Sequence, residues 1–203
     1  MNAVPRRIGI FGGSFDPLHY GHLIIGEYAI ESLNLDLVLF TPVLYPPHKP
    51  SGGRVSIGHR MAMLNAAIHD NERFLLSRVD VDRPGPHYTV DTIRIIHEQY
   101  PNSEIYFLMG TDSLLSFASW HQPQQIIEQC RLAVMRRPTT QPITLNLHED
   151  VLPGLQNSID IIEAPAIGIS STRIVERIRN GQTIRYLIPE AVRIYIEEHD
   201  LYR

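Results

Sequence analysis

The stretch Ile8-Gly9-Ile10-Phe11-Gly12-Gly13-Ser14-Phe15-Asp16-Pro17-Leu18-His19-Tyr20-Gly21-His22 decides how this chain is read. An apolar run, Ile8 to Phe11, ends in a glycine pair. A turn-like Asp16-Pro17 follows, then two histidines three apart and the start of an amphipathic segment. That order describes a buried strand, a tight loop and the first turn of a helix. The N–H groups of such a loop and helix N-terminus converge on one point, where a phosphate can sit. Two imidazoles at the same point add phosphate chemistry to phosphate binding.

Each residue type has a reason to be there. Gly12 and Gly13 suit a loop that lets a bulky anion approach the backbone, or one that needs positive φ. Ser14 adds a hydroxyl donor. His19 and His22 fall on one face of a helix, about one turn apart. Gly21 removes a side chain from the crowded side between them. Two imidazoles so placed can donate to polyphosphate oxygens and stabilise charge that grows during transfer. The same His-x-x-His spacing can also hold a metal, with Asp16 as a third ligand.

Two other phosphate-binding readings fail. A dinucleotide-binding loop needs G-x-G-x-x-G and an acidic residue at the end of the second strand. Here Gly12-Gly13-Ser14-Phe15-Asp16-Pro17 has no third glycine in register, and the second strand ends in Thr41-Pro42. No Gly-Lys-Ser/Thr follows the loop, so the Walker pattern fails as well.

Outward from this stretch the pattern alternates. Strand-like runs lie at Ile8–Phe11, Leu37–Phe40, Phe74–Leu76, Ile105–Met109, Leu132–Met135 and Ile159–Ile162. Their continuity suggests strands buried on both faces of a parallel sheet. Helical spacing relates Leu23, Gly26, Ile30 and Leu33; then Ile57, Met61, Leu64 and Ile68; then Val90, Ile93, Ile96 and Tyr100. A helix is predicted from the hydroxyl cluster Ser170-Ser171-Thr172 to Asn180-Gly181, and another from Pro189 to about His199. Thr41–Gly53 and Arg137–Gly154 read as loops. The predicted fold is α/β: a Rossmann-like, doubly wound parallel sheet with C-terminal helices, in one domain over residues 1–203.

Composition bounds the partners. The 203 residues are 43% apolar and 20% charged, as in a globular protein with a sizeable core. A formal net charge of −4 argues against a general binder of nucleic acid or anionic membranes, though it leaves room for a local basic pocket. The one cysteine, Cys130, permits no internal disulfide and fits a cytoplasmic setting. It reads as a small buried apolar residue. The stretch Met1–Arg7 has no room for a signal-peptide core, and no run has the length of a membrane span.

The motifs resemble those of a known group. Gly12-Gly13-Ser14-Phe15-Asp16-Pro17 with His19-Tyr20-Gly21-His22 is similar to the signature of the HxGH nucleotidyltransferases. Ile169-Ser170-Ser171-Thr172 resembles their second motif. Pro46-Pro47-His48-Lys49, Tyr88-Thr89-Val90-Asp91-Thr92, Gly110-Thr111-Asp112 with Trp120 downstream, and Arg136-Arg137-Pro138 narrow the likeness to bacterial nicotinate-nucleotide adenylyltransferases. So do Tyr186-Leu187-Ile188-Pro189 and His199-Asp200-Leu201-Tyr202 near the end.

The resemblance implies that ATP and nicotinate mononucleotide give nicotinate adenine dinucleotide and pyrophosphate, a step of NAD biosynthesis, with Mg²⁺ carried by the ATP phosphates. It implies that His19 and His22 are catalytic, on the ATP phosphates. Gly12, Gly13, Ser14 and Phe15 would line the nucleotide crossing point, with Gly110 and Asp112 near the nucleotide. Ser170, Ser171 and Thr172 would donate to the triphosphate, and Lys49 and Arg136 would be phosphate cations. Trp120 would stack on the pyridine ring, while N–H groups of Thr89 and His121 would hold the carboxylate.

The chain departs from the family pattern at three places. His87 stands where serine is common, and His121 where an aromatic is frequent. Val175 stands where the second motif carries an arginine, which makes Arg173 the candidate replacement. Alternatives are an adenylyltransferase for nicotinamide mononucleotide or phosphopantetheine, a non-catalytic nucleotide-binding module, and a zinc protein using the histidine pair. A homo-oligomer is compatible with all of them.

Overall fold

All six apolar runs form strands. The computed structural model describes residues 5–44, 54–136 and 148–203. Its strands are β1 (Arg7–Gly13), β2 (Leu37–Pro42), β3 (Phe74–Leu76), β4 (Glu104–Gly110), β5 (Arg131–Arg136) and β6 (Ile159–Glu163). Every pairing is parallel, in the order β3-β2-β1-β4-β5-β6. The order reverses between β1 and β4. In a sheet of this kind the reversal opens a crevice beyond the carboxyl ends of the strands, where ligands bind.

Alternate residues of each strand enter two separate cores. Ile8 and Ile10 join Leu37, Leu39, Phe107 and Val134 on one face. Phe11 joins Val38, Phe40, Tyr106 and Leu108 on the other. Side chains alternate with a period of two, so burial on both faces makes the strands continuously apolar.

The core around Phe11 is covered by α1 (Tyr20–Leu33), α2 (Ile57–Ile68), α6 (Ser171–Arg179) and α7 (Glu190–Glu198). The core around Ile8 and Ile10 is covered by α3 (Thr89–Gln99), α4 (Thr111–Leu115) and α5 (Pro123–Gln129). Short helices α4 and α5 lie beyond the sequence-based expectation. In α2 the buried face is rotated from the predicted one: Met63 and Ala67 are inside with Leu64 and Ile68, while Ile57 and Met61 are half-buried. The rotation places Arg60 indoors, 1% exposed. Pro189 is the N-cap of α7 rather than its first-turn residue.

Cys130 is buried at the start of β5, and burial pushes its thiol up to about 12. That is the behaviour of a packing residue. Of the two expected loops, Thr41 and Pro42 belong to β2, and residues 45–53 and 137–147 lie outside the described residues. No helix among the described residues is long and apolar enough to cross a membrane.

Candidate active site

Two cavities open at the carboxyl ends of the central strands. One, of about 340 Å³, is lined by Gly12, Gly13, Ser14, Thr89, Trp120 and His121 among others. The second, of about 360 Å³, holds His19, His22, Arg54, Asp112 and the Ser170–Thr172 cluster. The strand end at Gly12-Gly13 therefore belongs to the tryptophan cavity, while the histidines face the other one. Gly110, ending β4, lines the histidine cavity.

Gly13 works by space, not by φ. Gly12 and Gly13 both lie within extended β1, and neither has positive φ. A Cβ on Gly13 would stand 3.0 Å from the Phe15 ring. The left-handed residue is Phe15 itself, at φ 44°. Its ring does not line either cavity. It is buried against Phe11, Phe40 and His22, so it wedges the loop from beneath. Below the same loop, the Arg60 guanidinium donates to the carbonyls of Ser14 (2.9 Å), Val43 (2.9 Å) and Leu44 (3.2 Å). One buried cation thus ties the end of β2 to the residue after the glycine pair.

His19 is the N-cap of α1 and His22 its third residue. Their rings stack at 3.7 Å between centroids, with 26° between planes. A Cβ at Gly21 would come within 2.9 Å of the His19 ring, so the stack requires glycine there. The His19 N–H donates to Nδ1 of His22 at 3.2 Å. Nδ1 is therefore an acceptor, and the proton of a neutral His22 sits on Nε2. Burial lowers His19 to about 4. Burial, and then repulsion from His19, holds His22 well below its ordinary value. Both rings are neutral near pH 7.

The second motif meets the first directly. Ser170 caps α6 by accepting from Arg173 N–H at 3.3 Å. The Ser171 hydroxyl donates to the Pro17 carbonyl at 2.9 Å, so that proton is committed to joining the motifs. What α6 offers the cavity is its first-turn N–H groups and the positive end of its dipole.

Two expectations are corrected. The Arg173 side chain does not line the histidine cavity; the guanidinium there is that of Arg54. Val175 is buried in the core at 2% exposure. Asp16 is not a third metal ligand beside the histidines. Its Oδ1 accepts from Tyr202 Oη at 2.7 Å and its Oδ2 from Arg54 N–H at 2.5 Å. Among the described residues no group of three or more metal-ligating side chains comes together.

Arg136, at the end of β5, is paired with Glu163 on β6 and does not line either cavity. Asp112 does line the histidine cavity. The N-cap of α4 is Gly110, and Asp112 stands in its first turn. Lys49 lies outside the described residues.

In the tryptophan cavity, Trp120 stands edge-on to Phe107 at 5.9 Å and tilted on Phe117 at 5.4 Å. Its Nε1 is buried without a partner among the described residues. The Tyr88 and His121 rings stack at 4.0 Å, which clasps the start of α3 to the segment after Trp120. Thr89, first residue of α3, and His121 thereby line one cavity. Asp80 and Arg83 support this arrangement and were missed in the sequence. Buried Asp80 Oδ1 accepts from Arg83 Nη2 (2.9 Å) and Thr92 Oγ1 (2.8 Å), and Arg83 also donates to the Pro86 carbonyl. His87, flagged by its departure from the family pattern, is buried in the same wall.

Comparison with known proteins places the chain. Residues 10–177 match the cytidylyltransferase-like family model. The chain is 43% identical over 197 residues to a Thermomicrobium roseum protein named "Probable nicotinate-nucleotide adenylyltransferase", covering 97% of this chain and 92% of that protein. A Desulfitobacterium hafniense protein of the same name is 42% identical over 205 residues, covering 100% and 99%. The fold superposes on Plasmodium falciparum nicotinic acid mononucleotide adenylyltransferase complexed with NaAD, with TM-score 0.78, 21% identity and 97% of each chain covered. The chain belongs to the cytidylyltransferase-like family and, within it, to the nicotinate-nucleotide adenylyltransferases.

Proposed function

We propose that this chain joins ATP and nicotinate mononucleotide into nicotinate adenine dinucleotide and pyrophosphate, a step of NAD biosynthesis. The observation that carries this reading is the division of the crevice into two cavities with different chemistry. One has an aromatic wall, Trp120, and the N-terminus of α3, suited to a pyridine ring bearing a carboxylate. The other has imidazoles, a guanidinium and the N-terminus of α6, suited to a polyphosphate.

A phosphate oxygen of the mononucleotide attacks the α-phosphorus of ATP. The new P–O bond forms as the bond from the α-phosphorus to the bridging oxygen breaks, and pyrophosphate leaves with that electron pair. The nucleophile is already an anion, so positioning and charge stabilisation supply the catalysis. His22 donates from Nε2 to a phosphate oxygen, and its neutral state costs no proton rearrangement. The donors of the histidine cavity are matched to phosphate oxygens, with Asp112 as the one carboxylate among the described residues that line it. Mg²⁺ therefore enters as part of the substrate, bound to the ATP phosphates.

Pyrophosphate release with ATP and one acceptor at a time tests the reading. Nicotinate mononucleotide should turn over at least tenfold faster than nicotinamide mononucleotide, and phosphopantetheine should not react. Equal or better turnover with either competitor overturns the substrate assignment, and no turnover with any acceptor overturns the enzyme.

A further inference from the structure

The histidine cavity contains one full positive charge among the described residues, and it is Arg54. The two imidazoles beside it are held neutral by burial. A polyphosphate entering there carries several negative charges, so the balance of the site rests heavily on this side chain.

Among the described residues the Arg54 guanidinium is held in place without an ion pair. Its Nη2 donates to Thr172 Oγ1 at 2.8 Å and its Nη1 to the Asp16 carbonyl at 3.0 Å. Both partners are uncharged. Its own N–H donates to Asp16 Oδ2, and buried Asp16 is fixed in turn by Tyr202 from the end of the chain. Arg136 and Arg83, by contrast, each spend their charge on a carboxylate. A guanidinium has five donors, and the two bonds described leave others for a ligand. The Thr172 bond also sets the guanidinium against the first turn of α6, where the helix dipole attracts the same anion.

We propose that Arg54 is a binding residue for the polyphosphate chain of ATP and for the pyrophosphate product. This rests on the phosphate assignment of the histidine cavity. Arg54 reaches Thr172 across 118 residues of sequence, so it joins the segment before α2 to the second motif in one anion site. It occupies the place that Arg173 does not reach.

Arg54→Gln removes the charge and keeps a polar side chain; Arg54→Lys keeps the charge and loses the fork. The readouts are calorimetric binding of inorganic pyrophosphate with Mg²⁺, and the KM for each substrate. Arg54→Gln should weaken pyrophosphate binding and raise the ATP KM by about tenfold or more, the scale of a lost charge-assisted bond. The nicotinate mononucleotide KM should change less than twofold, and Arg54→Lys should recover most of the loss. Unchanged pyrophosphate affinity overturns the proposal. So does an equal rise in both KM values, or a lysine variant no better than glutamine, because either shows a scaffolding role. If the wild-type protein turns over no acceptor but binds pyrophosphate through Arg54, the reaction assignment fails and the Arg54 site stands.

Discussion

The N–H of His19 donates to Nδ1 of His22, so the backbone of one motif histidine sets the tautomer of the other. The bond leaves Nε2–H as the only ring donor of His22 and blocks the second proton. A neutral imidazole that cannot rotate away is a fixed dipole, ready for charge that grows on a phosphate oxygen.

His22 is therefore expected to act as a neutral donor throughout the neutral range. Nitrogen-15 NMR of the histidine rings at pH 7 should show His22 as the Nε2–H tautomer. His22→Ala should lower kcat by about 10²–10³-fold, the scale for loss of one preorganised donor. An imidazolium signal for His22 at pH 7, or an undiminished rate in the alanine variant, defeats this role.

His19 carries a stability signature. Its folded value is about 4, against 6.5 for the free side chain, so the unfolded chain binds the extra proton first. Stability is then full above about pH 6.5 and falls as pH drops toward about 4. His22 is lowered in the same direction. Urea unfolding at pH 7.5 and pH 5 should show the loss, and His19→Gln should reduce it without abolishing it. An unchanged pH dependence in that variant would show that His19 is not the titrating group.

Arg60 should matter more for folding than for contact with substrate. Three carbonyls, of Ser14, Val43 and Leu44, accept from its guanidinium in the interior. Arg60→Met leaves them without that donor, at about 1–3 kcal/mol for each buried group left unsatisfied. Urea unfolding should show a loss of at least about 3 kcal/mol. A variant within 1 kcal/mol of wild type, roughly the scale of a surface substitution, would show that water replaces the guanidinium.

These residues also show where sequence reading stops. The six strands were legible because burial on both faces writes an unbroken apolar run, and the histidine pair because its contacts are local. Helices α4 and α5 were not, because five and seven residues are too few to display a period of 3.6. Arg60 lies outside the apolar spacing of α2, and the carbonyls that accept from it come from the segments after β1 and β2. Arg54 sits between Gly53 and Val55 with nothing local to distinguish it, and its role depends on Thr172 far along the chain. A close approach at Gly13 was legible, but only the fold shows that the approaching group is the Phe15 ring.

Trp120 gives the most direct optical test of the two-cavity division. It is the one tryptophan in the chain, so all tryptophan emission comes from the first cavity. A pyridine ring stacking there should quench it, since the indole face and the ligand are brought into van der Waals contact. Pyrophosphate, placed among His19, His22 and Arg54, makes no contact with the indole. Titration with nicotinate mononucleotide should therefore quench the emission in a saturable way, and Mg²⁺-pyrophosphate should leave it nearly unchanged. Trp120→Phe should keep the fold and raise the mononucleotide KM several-fold with little effect on the ATP KM. Quenching by pyrophosphate alone, or a rise in the ATP KM, would mean that the two cavities do not divide the substrates in this way.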